Sequence, residues 1–275
     1  MNIHANRETS GFGRQMRYWR TSRKLSQLEL ASLANTTPRY ISFLETGRSR
    51  PGRDLILRIA EALRLPIREV NLLMFSAGFA PEYEQYEFDG EAIKPYRAAI
   101  EAILDKHDPF PACALDCVGN ILMANKAFAA FTPGTAHLSP EDRIEMFFNP
   151  DGDIRSLFEN WEEAAWQVYD RQKSELAASN NPRLAAQVQR IGELLSGVER
   201  PGHADAANPI VFTPRMKFGD TVVSTFATIM RFENATEVTL SEVRVELVFP
   251  TDTSSRQFFE NLFQSSSAVP YSGIG

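Results

Sequence analysis

The sequence has few of the residues that catalysis and metal binding use. It contains two Cys and four His in 275 residues, and the His are so scattered that none has a metal-ligand partner at short spacing. No glycine-rich phosphate loop and no nucleophile elbow is present. The adjacent carboxylates Glu162 and Glu163 are typical of a solvated helix face. We therefore expect no catalytic residues, no metal site, no cofactor and no enzyme activity.

The sequence also lacks the features of membrane and secreted proteins. It has no apolar run of about 18 residues, the length that a membrane helix needs, and its first residues have no apolar signal core. Two Cys cannot form a disulfide scaffold. Cys113 and Cys117 are four residues apart in a strand-like run, which predicts ordinary buried or half-buried thiols on one face. Together these absences predict a cytoplasmic protein that does not meet a membrane.

The charges divide the chain into two parts of opposite sign. The whole sequence has 29 Lys and Arg against 35 Asp and Glu, but residues 1–80 have 13 basic and 6 acidic side chains. The remainder is strongly acidic. A chain of this length is expected to form two domains, each large enough for its own core. A basic domain beside an acidic one is typical of a protein in which only the first part meets phosphates.

Residues 27–46 have the pattern of two helices joined by a tight turn. Ala31 is small where two helices must cross, and Asn35 tolerates the left-handed conformation that such a turn requires. Ile41 and Leu44 are three residues apart and therefore share one buried face of the second helix. The opposite face is basic and mixed in character, as in a helix that enters the major groove of DNA.

Capping residues and apolar spacing extend this pattern to five short helices. Ser26 and Glu29 form a capping box, Thr37 with Pro38 marks a second helix start, and Gly47 ends that helix. Apolar residues recur at helical spacing on either side of the motif: Phe12, Met16 and Trp19 before it, and Leu55, Ile59, Leu63, Val70 and Met74 after it. We predict an all-α helix-turn-helix domain over residues 1–78.

Residues 10–78 resemble the xenobiotic-response-element family of helix-turn-helix regulators, the phage-repressor type. The motif that carries the resemblance is LSQ-x-EL-A…T-P-x-Y-I-S-x-L-E-x-G…P. The resemblance implies an internal ion pair between Arg20 and Glu45, and a phosphate contact from Gln27. It also implies DNA contacts by the recognition positions and by the loop that follows them, which are Thr37, Pro38, Arg39, Ser42, Phe43, Thr46, Arg48 and Arg50.

Two recognition positions depart from the family pattern, because Pro38 and Phe43 are not polar readers. Hydrogen-bond readout is therefore expected from Arg39, directed at guanine, while Phe43 would touch a thymine methyl. One recognition helix reads too few base pairs for specificity. We therefore expect a homodimer on double-stranded DNA with a palindromic operator. An exposed helix Arg is also often only solvated, so the base contact of Arg39 is a hypothesis.

The second part of the chain alternates helices and strands after an acidic, aromatic linker at residues 79–93. The pattern predicts a helix at 94–105 with Tyr96 on its apolar stripe, a hairpin with its turn at 118–120, and a short helix capped by Asn125. A long helix at 154–178, broken at 180–182, is followed by another helix to about 195. Three strands, at 208–216, 221–230 and 243–250, and a last helix at 254–263 complete an α+β domain with an antiparallel sheet, which we place at residues 94–265.

This order of elements resembles a PAS-like sensor domain, an antiparallel sheet with helices packed on one side. The order of domains resembles the MmyB-like regulators, which join a repressor-type domain to a PAS-like ligand-binding domain. The residues that carry the resemblance lie within 95–255: Asp108-Pro109, Leu115-Asp116, Gly119-Asn120, Asn125-Lys126-Ala127 and the helix that starts at Asn160-Trp161. The segment 196–215 departs from the expected pattern before the last strands.

The aromatic residues of the second part could line an apolar cavity for a small ligand such as a fatty acid. The candidates are Phe110, Phe128, Phe131, Phe147, Phe148, Trp161, Ala165, Trp166, Tyr169, Phe212 and Phe226. The same residues could simply form a core. Three interpretations therefore stay open: a ligand-responsive transcription regulator, a DNA-binding protein whose second domain only dimerises or binds a protein, and an enzyme fused to a DNA-binding domain.

Overall fold

The computed structural model describes residues 11–202 and 211–267. These residues form two compact units. The first contains residues 11–85, and the second contains residues 86–176 and most of the described residues after them. We call them the helical domain and the α+β domain. The predicted limits, 1–78 and 94–265 with a linker at 79–93, stay a prediction, and residues 1–10 lie outside the described part.

The helical domain consists of the five predicted helices. They are α1 (Gly11–Ser22), α2 (Gln27–Leu33), α3 (Pro38–Glu45), α4 (Arg53–Ala62) and α5 (Ile67–Ser76). The capping box of Ser26 is present, and the hydroxyl of Thr37 accepts a hydrogen bond from the amide of Tyr40 at the start of α3. Asn35 has a φ of 49° and Gly47 a φ of 70°, so both turns around α3 are left-handed as expected. The apolar residues listed above at helical spacing are all buried in one core.

Helix α1 crosses α3 at a glycine that the sequence pattern did not single out. A Cβ atom on Gly13 would lie 2.5 Å from the carbonyl oxygen of Leu44 and 2.8 Å from that of Glu45. Such distances are far below van der Waals contact, and the obstructing atoms belong to backbone. The close approach of the two helices therefore requires glycine at this position.

The first half of the predicted linker is fixed to the helical domain. The side-chain oxygen of Asn71, on α5, accepts hydrogen bonds from the amides of Glu82 and Tyr83 at 2.9 and 3.0 Å. Its side-chain nitrogen donates to the carbonyl oxygen of Tyr83 at 2.7 Å. Phe79 and Tyr83 pack against the core of this domain. Residues 79–83 are thus an ordered extension of the five helices.

The α+β domain contains eight helices and five strands among its described residues. In chain order they are α6 (Lys94–His107), β1 (Ala112–Leu115), β2 (Ile121–Ala124), α7 (Lys126–Phe131), α8 (Pro140–Phe148), α9 (Asp153–Leu157), α10 (Trp161–Ser179), α11 (Pro182–Leu194), β3 (Arg215–Phe218), β4 (Thr221–Arg231), α12 (Val238–Glu242), β5 (Arg244–Pro250) and α13 (Thr253–Ser267). A short 3-10 turn, Thr135–His137, precedes α8.

The five strands form one antiparallel sheet in the order β2-β1-β5-β4-β3. Strands β1 and β2 are the predicted hairpin, with Cys113 opposite Ala124. Strand β5 pairs with β1 on one side and with β4 on the other. Strand β3 is short and pairs only with residues 221–224 of β4. The central strand of the sheet is therefore the last strand in the sequence.

Helices lie against both faces of the sheet, whereas we expected them on one side. Helix α6 packs against Ala112, Ala114 and Val245. Successive strand residues point to opposite faces, so Arg244 and Glu246 face away from α6. These two side chains form ion pairs with α10. The alternation along β5 thus separates an apolar face, covered by α6, from a charged face that meets α10.

One buried asparagine joins three elements around β1. Asn125 caps α7, as predicted, by accepting a hydrogen bond from the amide of Phe128 at 2.9 Å. The same oxygen also accepts from the amide of Ala112 at 2.9 Å, and the side-chain nitrogen donates to the carbonyl oxygens of Leu104 and Phe110. Asn125 is only 4% exposed. It therefore holds the end of α6, strand β1 and the start of α7 together.

The predicted helix at 154–178 is wrong, because it is two helices, α9 and α10. Phe158 forms a bridge with Met216, and the amide of Glu159 donates to the carbonyl oxygen of Arg215 at 2.9 Å. The side-chain oxygen of Asn160 accepts from the amide of Arg215 at 2.9 Å. These contacts with distant residues hold 158–160 in a non-helical conformation, and the local helical pattern gave no indication of them.

Several other elements differ from the sequence prediction. The strand predicted at 208–216 is wrong for residues 211–214, since β3 begins at Arg215, and residues 208–210 lie outside the described part. Pro214 has no N–H for a ladder and contributes only its carbonyl oxygen. Cys117 lies in the turn after β1 and not in the strand. Tyr96 is exposed, although it was placed on the apolar stripe of its helix.

Two helices, α8 and α12, were not predicted. The start of α8 does carry a recognisable signal in the sequence, because Ser139 caps the helix and Pro140 is its first residue. Helix α12 is only five residues long. An element of this length contains too few positions for a period of 3.6 to be read from the sequence.

Candidate nucleic-acid interface and ligand-binding region

Helix α3 has one buried face and one accessible face. Ile41 and Leu44 are completely buried. Thr37, Pro38 and Arg39 are exposed, and the two remaining recognition residues, Ser42 and Phe43, are half-buried. This division follows from the helical period, which places Ile41 and Leu44 on the same face. The structure thus brings the predicted recognition residues together on the accessible side of a single helix.

Arg39 and Phe43 form a stacked pair on this accessible side. The guanidinium carbon of Arg39 lies 5.3 Å from the centre of the Phe43 ring. The two residues are four apart on a helix, so they are direct neighbours. A guanidinium over an aromatic face is attracted by the ring and keeps its outward donors free. Phe43, which departs from the family pattern, therefore restrains the Arg39 side chain, from which we expect hydrogen-bond readout.

The predicted ion pair between Arg20 and Glu45 is present and includes Gln27. Arg20 donates from Nε and Nη2 to the two carboxylate oxygens of Glu45, at 2.6 and 3.1 Å. Gln27 donates from its side-chain nitrogen to the same carboxylate at 2.8 Å. Glu45 is 4% exposed. Three elements, α1, α2 and α3, are therefore tied together by one buried carboxylate, and the phosphate contact of Gln27 stays a prediction.

The loop after α3 carries the two remaining basic candidates. Arg48 and Arg50 are exposed. The hydroxyl of Tyr40 donates to the carbonyl oxygen of Arg50 at 3.0 Å, which holds this loop against α3. The hydroxyl of Thr46 donates to the carbonyl oxygen of Ser42 at 2.8 Å, within its own helix end. The arginine side chains are thus presented next to the accessible face of α3 by an ordered loop.

A further residue fixes the turn between α2 and α3, and the sequence analysis missed it. Arg58, on α4, donates from Nε to the carbonyl oxygen of Ala34 at 3.0 Å. The two residues are 24 positions apart, and no local pattern links them. This hydrogen bond provides a partner for the carbonyl oxygen of Ala34. Carbonyl groups at a helix end have no partner within the helix itself.

The predicted ligand-binding residues fall into two aromatic clusters and not into one. Six of them belong to a cluster that α8 and α10 build together with α11, which we call the helical cluster. They are Phe147, Phe148, Trp161, Ala165, Trp166 and Tyr169. The indole nitrogen of Trp161 donates to the carbonyl oxygen of Phe147 at 2.9 Å. These six predicted residues are therefore neighbours in the folded domain.

A second, continuous series of rings lies near the sheet and α13. Its members are in ring contact one after another, and we call them the sheet cluster: Phe226, Phe249, His107, Phe110, Phe259, Phe131, Phe218 and Phe258. Three of the predicted residues, Phe110, Phe131 and Phe226, belong to it. Phe128 and Phe212 are half-buried and belong to neither cluster.

The centre of the helical cluster is buried. Ala165 is completely buried, and Trp161 is only 1% exposed. An open groove of about 350 Å³ lies elsewhere, between the start of β4 and α13. Its lining combines polar side chains such as Gln257 and Asn261 with the apolar Phe258 and Leu262. This groove contains none of the predicted ligand residues.

The charged face of the sheet carries a chain of ion pairs. Arg171 donates to Glu246 at 2.8 Å, and Arg244 donates to Glu175 at 2.9 Å. Arg231 extends the chain by an ion pair with Glu175 at 3.3 Å. Arg244 is 8% exposed, and its buried charge is compensated by these carboxylates. The network couples α10 to strands β4 and β5.

Cys113 is buried and Cys117 is half-buried, as predicted, and neither forms a disulfide. Burial raises the pKa of the Cys113 thiol to about 12, with a further contribution from Glu246. At neutral pH this thiol is therefore protonated, and a protonated thiol is a poor nucleophile.

Within residues 11–202 and 211–267 no three His, Cys, Asp or Glu side chains come together in a way that could hold a metal ion. None of the helices described in those ranges is long and apolar enough to cross a membrane.

Comparisons with known proteins agree with this division into two parts. Residues 96–262 match the family model of the MmyB-like transcription regulator ligand binding domain, and residues 16–70 match a helix-turn-helix model. No curated protein matches the sequence. The crystal structure of the restriction-modification controller protein C.AhdI from Aeromonas hydrophila is 34% identical, with a TM-score of 0.22. The match covers 22% of this chain and 92% of the controller protein. The chain belongs to the family of MmyB-like transcription regulators, with a DNA-binding helix-turn-helix in front of the ligand binding domain.

Proposed function

We propose that this regulator reads a palindromic operator as a homodimer and is controlled by a small apolar ligand, such as a fatty acid, bound in a PAS-like α+β domain. The observation that carries the first half is the Arg39–Phe43 pair on the accessible face of α3, next to Arg48 and Arg50. A stacked guanidinium with free outward donors suits the O6 and N7 acceptors of guanine. The sheet order β2-β1-β5-β4-β3 supports the PAS-like assignment.

Arg39→Ala should weaken operator binding by about 1–3 kcal/mol and relax the preference at one base pair, because it removes the base contact. Selecting binding sites from a random DNA pool with each variant measures both effects. Gln27→Ala should weaken binding to all sequences alike, since a phosphate contact carries no sequence information. Arg17→Ala removes the same charge from an exposed position on α1 and serves as the control. The assignment of α3 fails if Arg39→Ala keeps both affinity and preference.

The ligand is proposed to enter the helical cluster. This cluster holds two of the three Trp residues of the chain, so binding there should change the intrinsic fluorescence. A ligand can alter DNA affinity only if it binds two states of the protein differently. Because the cluster is closed around Ala165, the binding-competent state must be a more open one. The test adds fatty acids of medium and long chain length to the protein. It measures the intrinsic fluorescence, the thermal stability and the operator affinity.

Trp166→Ala should weaken fatty-acid binding, because it removes a half-buried ring from the edge of the cluster. Tyr96→Ala removes an exposed ring from α6 and is the matched control. Ala165→Phe would disturb the fold as well as any ligand site, because it adds a ring at a completely buried position. If no fatty acid changes thermal stability or operator affinity, the ligand assignment is wrong.

The alternative is that the α+β domain only dimerises or binds a protein partner. The observation in its favour is the close packing of the helical cluster around Ala165. A protein that dimerises without responding to any apolar compound would support this alternative. The protonated Cys113 and the mutually paired carboxylates of the sheet give no support to an enzyme fused to the DNA-binding domain.

A further inference from the structure

Among the described residues, strand pairing covers the outer edge of β4 only near its start. Strand β3 pairs with residues 221–224 only, while β4 continues to Arg231. The amide of Thr225 still finds an acceptor, the carbonyl oxygen of Pro214, at 3.2 Å. Beyond that residue, the described part of the chain places no strand beside β4. The side chains of Ala227, Thr228, Ile229, Met230 and Arg231 are all exposed.

The backbone groups along this edge point outward at every second residue. The amide of Thr225 points away from β5, towards Pro214. Orientation alternates along an antiparallel strand, so the N–H and C=O groups of Ala227, Ile229 and Arg231 point away from β5 as well. Unpaired outward groups of this kind form a template for another strand.

Apart from Arg231 at its end, the edge carries none of the usual protections against strand pairing. Exposed edges are generally blocked by Lys, by Pro, by a bulge or by a covering element. Residues 227–230 are Ala-Thr-Ile-Met, without charge or proline. Ile229 and Met230 are each 41% exposed, on opposite faces of the sheet. Adding a strand to this edge would therefore bury apolar surface on both faces of the sheet.

We propose that this edge pairs with the same edge of a second copy of the chain, and so joins two five-stranded sheets into one. An antiparallel strand is complementary to itself, because a two-fold axis superimposes it on its partner. The register that pairs all three outward residues is centred on Ile229. It places Ile229 opposite Ile229 of the second copy, and Ala227 opposite Arg231 of the second copy.

The size of the edge sets the expected strength of this dimer. A strand of this length buries less than the roughly 800 Å² per partner that stable interfaces use. We therefore expect a reversible dimer that forms with rising concentration. The proposal adds a location to the dimer of the proposed function, yet each can fail without the other, because DNA reading by α3 does not depend on where the copies join.

The test measures the oligomeric state of the full chain by light scattering and sedimentation over a wide range of concentrations. Ile229→Lys should remain monomeric where the wild type is dimeric, because it opposes two like charges across the axis. Val222→Glu is the control, because it also introduces a charge on this strand and its opposite neighbour is Lys217 of β3. Val222 is an exposed apolar residue of the same strand, but it lies where β3 already covers the edge. It should leave the dimer unchanged.

A covalent test is independent of any loss of stability in the Lys variant. Opposed residues in a hydrogen-bonded antiparallel pair have Cα atoms about 5.5 Å apart, within the range that a disulfide spans. Ile229→Cys should form a cross-linked dimer on mild oxidation, with one S–S bond made as the two thiols give two electrons and two protons to the added oxidant. The wild type and Val222→Cys should not cross-link in this way.

Two further variants, which introduce charges of opposite sign at position 227, check the register. Ala227→Glu faces Arg231 of the second copy and should tighten the dimer, whereas Ala227→Lys should loosen it. A wild type that stays monomeric at every concentration, together with an Ile229→Cys variant that does not cross-link, would overturn the proposal. So would a dimer that Ile229→Lys leaves intact, which would show that the copies join elsewhere.

Discussion

Replacing Glu45 with alanine is expected to destabilise the helical domain by about 3–5 kcal/mol. The carboxylate is 4% exposed and compensates the guanidinium of Arg20, which would be left as an unpaired charge. Gln27 would lose its acceptor at the same time. Hydrogen exchange of α1 and α3 in the full chain measures the loss, because it reports on these helices separately from the α+β domain.

The control for this prediction is an exposed ion pair with similar geometry. Arg190 and Glu145 are joined at 2.5 and 2.9 Å, but their side chains are 47% and 48% exposed. Solvent screens such a pair, so Glu145→Ala should leave stability close to that of the wild type. The joint replacement Arg20→Met with Glu45→Leu should recover much of the loss, since it leaves no buried charge. Equal effects of Glu45→Ala and Glu145→Ala would contradict the importance of burial.

Asn125→Ala is expected to cost the α+β domain about 3–5 kcal/mol. The substitution leaves two amides, of Ala112 and Phe128, and two carbonyl oxygens, of Leu104 and Phe110, without their partner. These groups lie in a buried region, where water cannot replace the lost hydrogen bonds. Urea denaturation followed by far-ultraviolet circular dichroism, with hydrogen exchange of β1 and α7, measures the change.

Asn125 both caps α7 and holds the end of α6 and strand β1. A helix cap with fewer other contacts serves as the control that separates these two functions. Asn181 caps α11 by accepting from the amides of Arg183 and Leu184, and it is half-buried. Its replacement by alanine should cost only about 1 kcal/mol, the usual contribution of a cap. If Asn125→Ala costs no more than Asn181→Ala, Asn125 acts as a cap alone, and its bonds to α6 and β1 contribute little.

Helix caps are among the features that can be predicted from the sequence. Capping by Asn125 and Thr37 was predictable, because a cap involves residues only three positions apart. The five helices of the first domain and the first hairpin were predictable for the same reason. Short-range spacing determines these elements, and their tertiary environment agrees with their local preference.

Long-range contacts account for most of what the sequence did not predict. The helix at 154–178 is interrupted because 158–160 pair with residues more than fifty positions away. The bond from Arg58 to Ala34 and the need for glycine at position 13 have the same origin. Aromatic residues in the second domain were recognised as a group, but only the fold separates the helical cluster from the sheet cluster, since packing is decided in three dimensions.

The stack of Arg39 on Phe43 has a consequence for the thermodynamics of recognition. A free arginine side chain carries about 2 kcal/mol of rotamer entropy, part of which is lost whenever the guanidinium is fixed on a base. The ring of Phe43 already restricts that motion before DNA arrives. If the Arg39 side chain is already ordered, fixing it on a base costs less conformational entropy. Binding then loses less affinity to this ordering, and the balance between its enthalpy and entropy changes. Under the proposed function, Phe43 would therefore contribute to specificity by restricting the conformational freedom of Arg39.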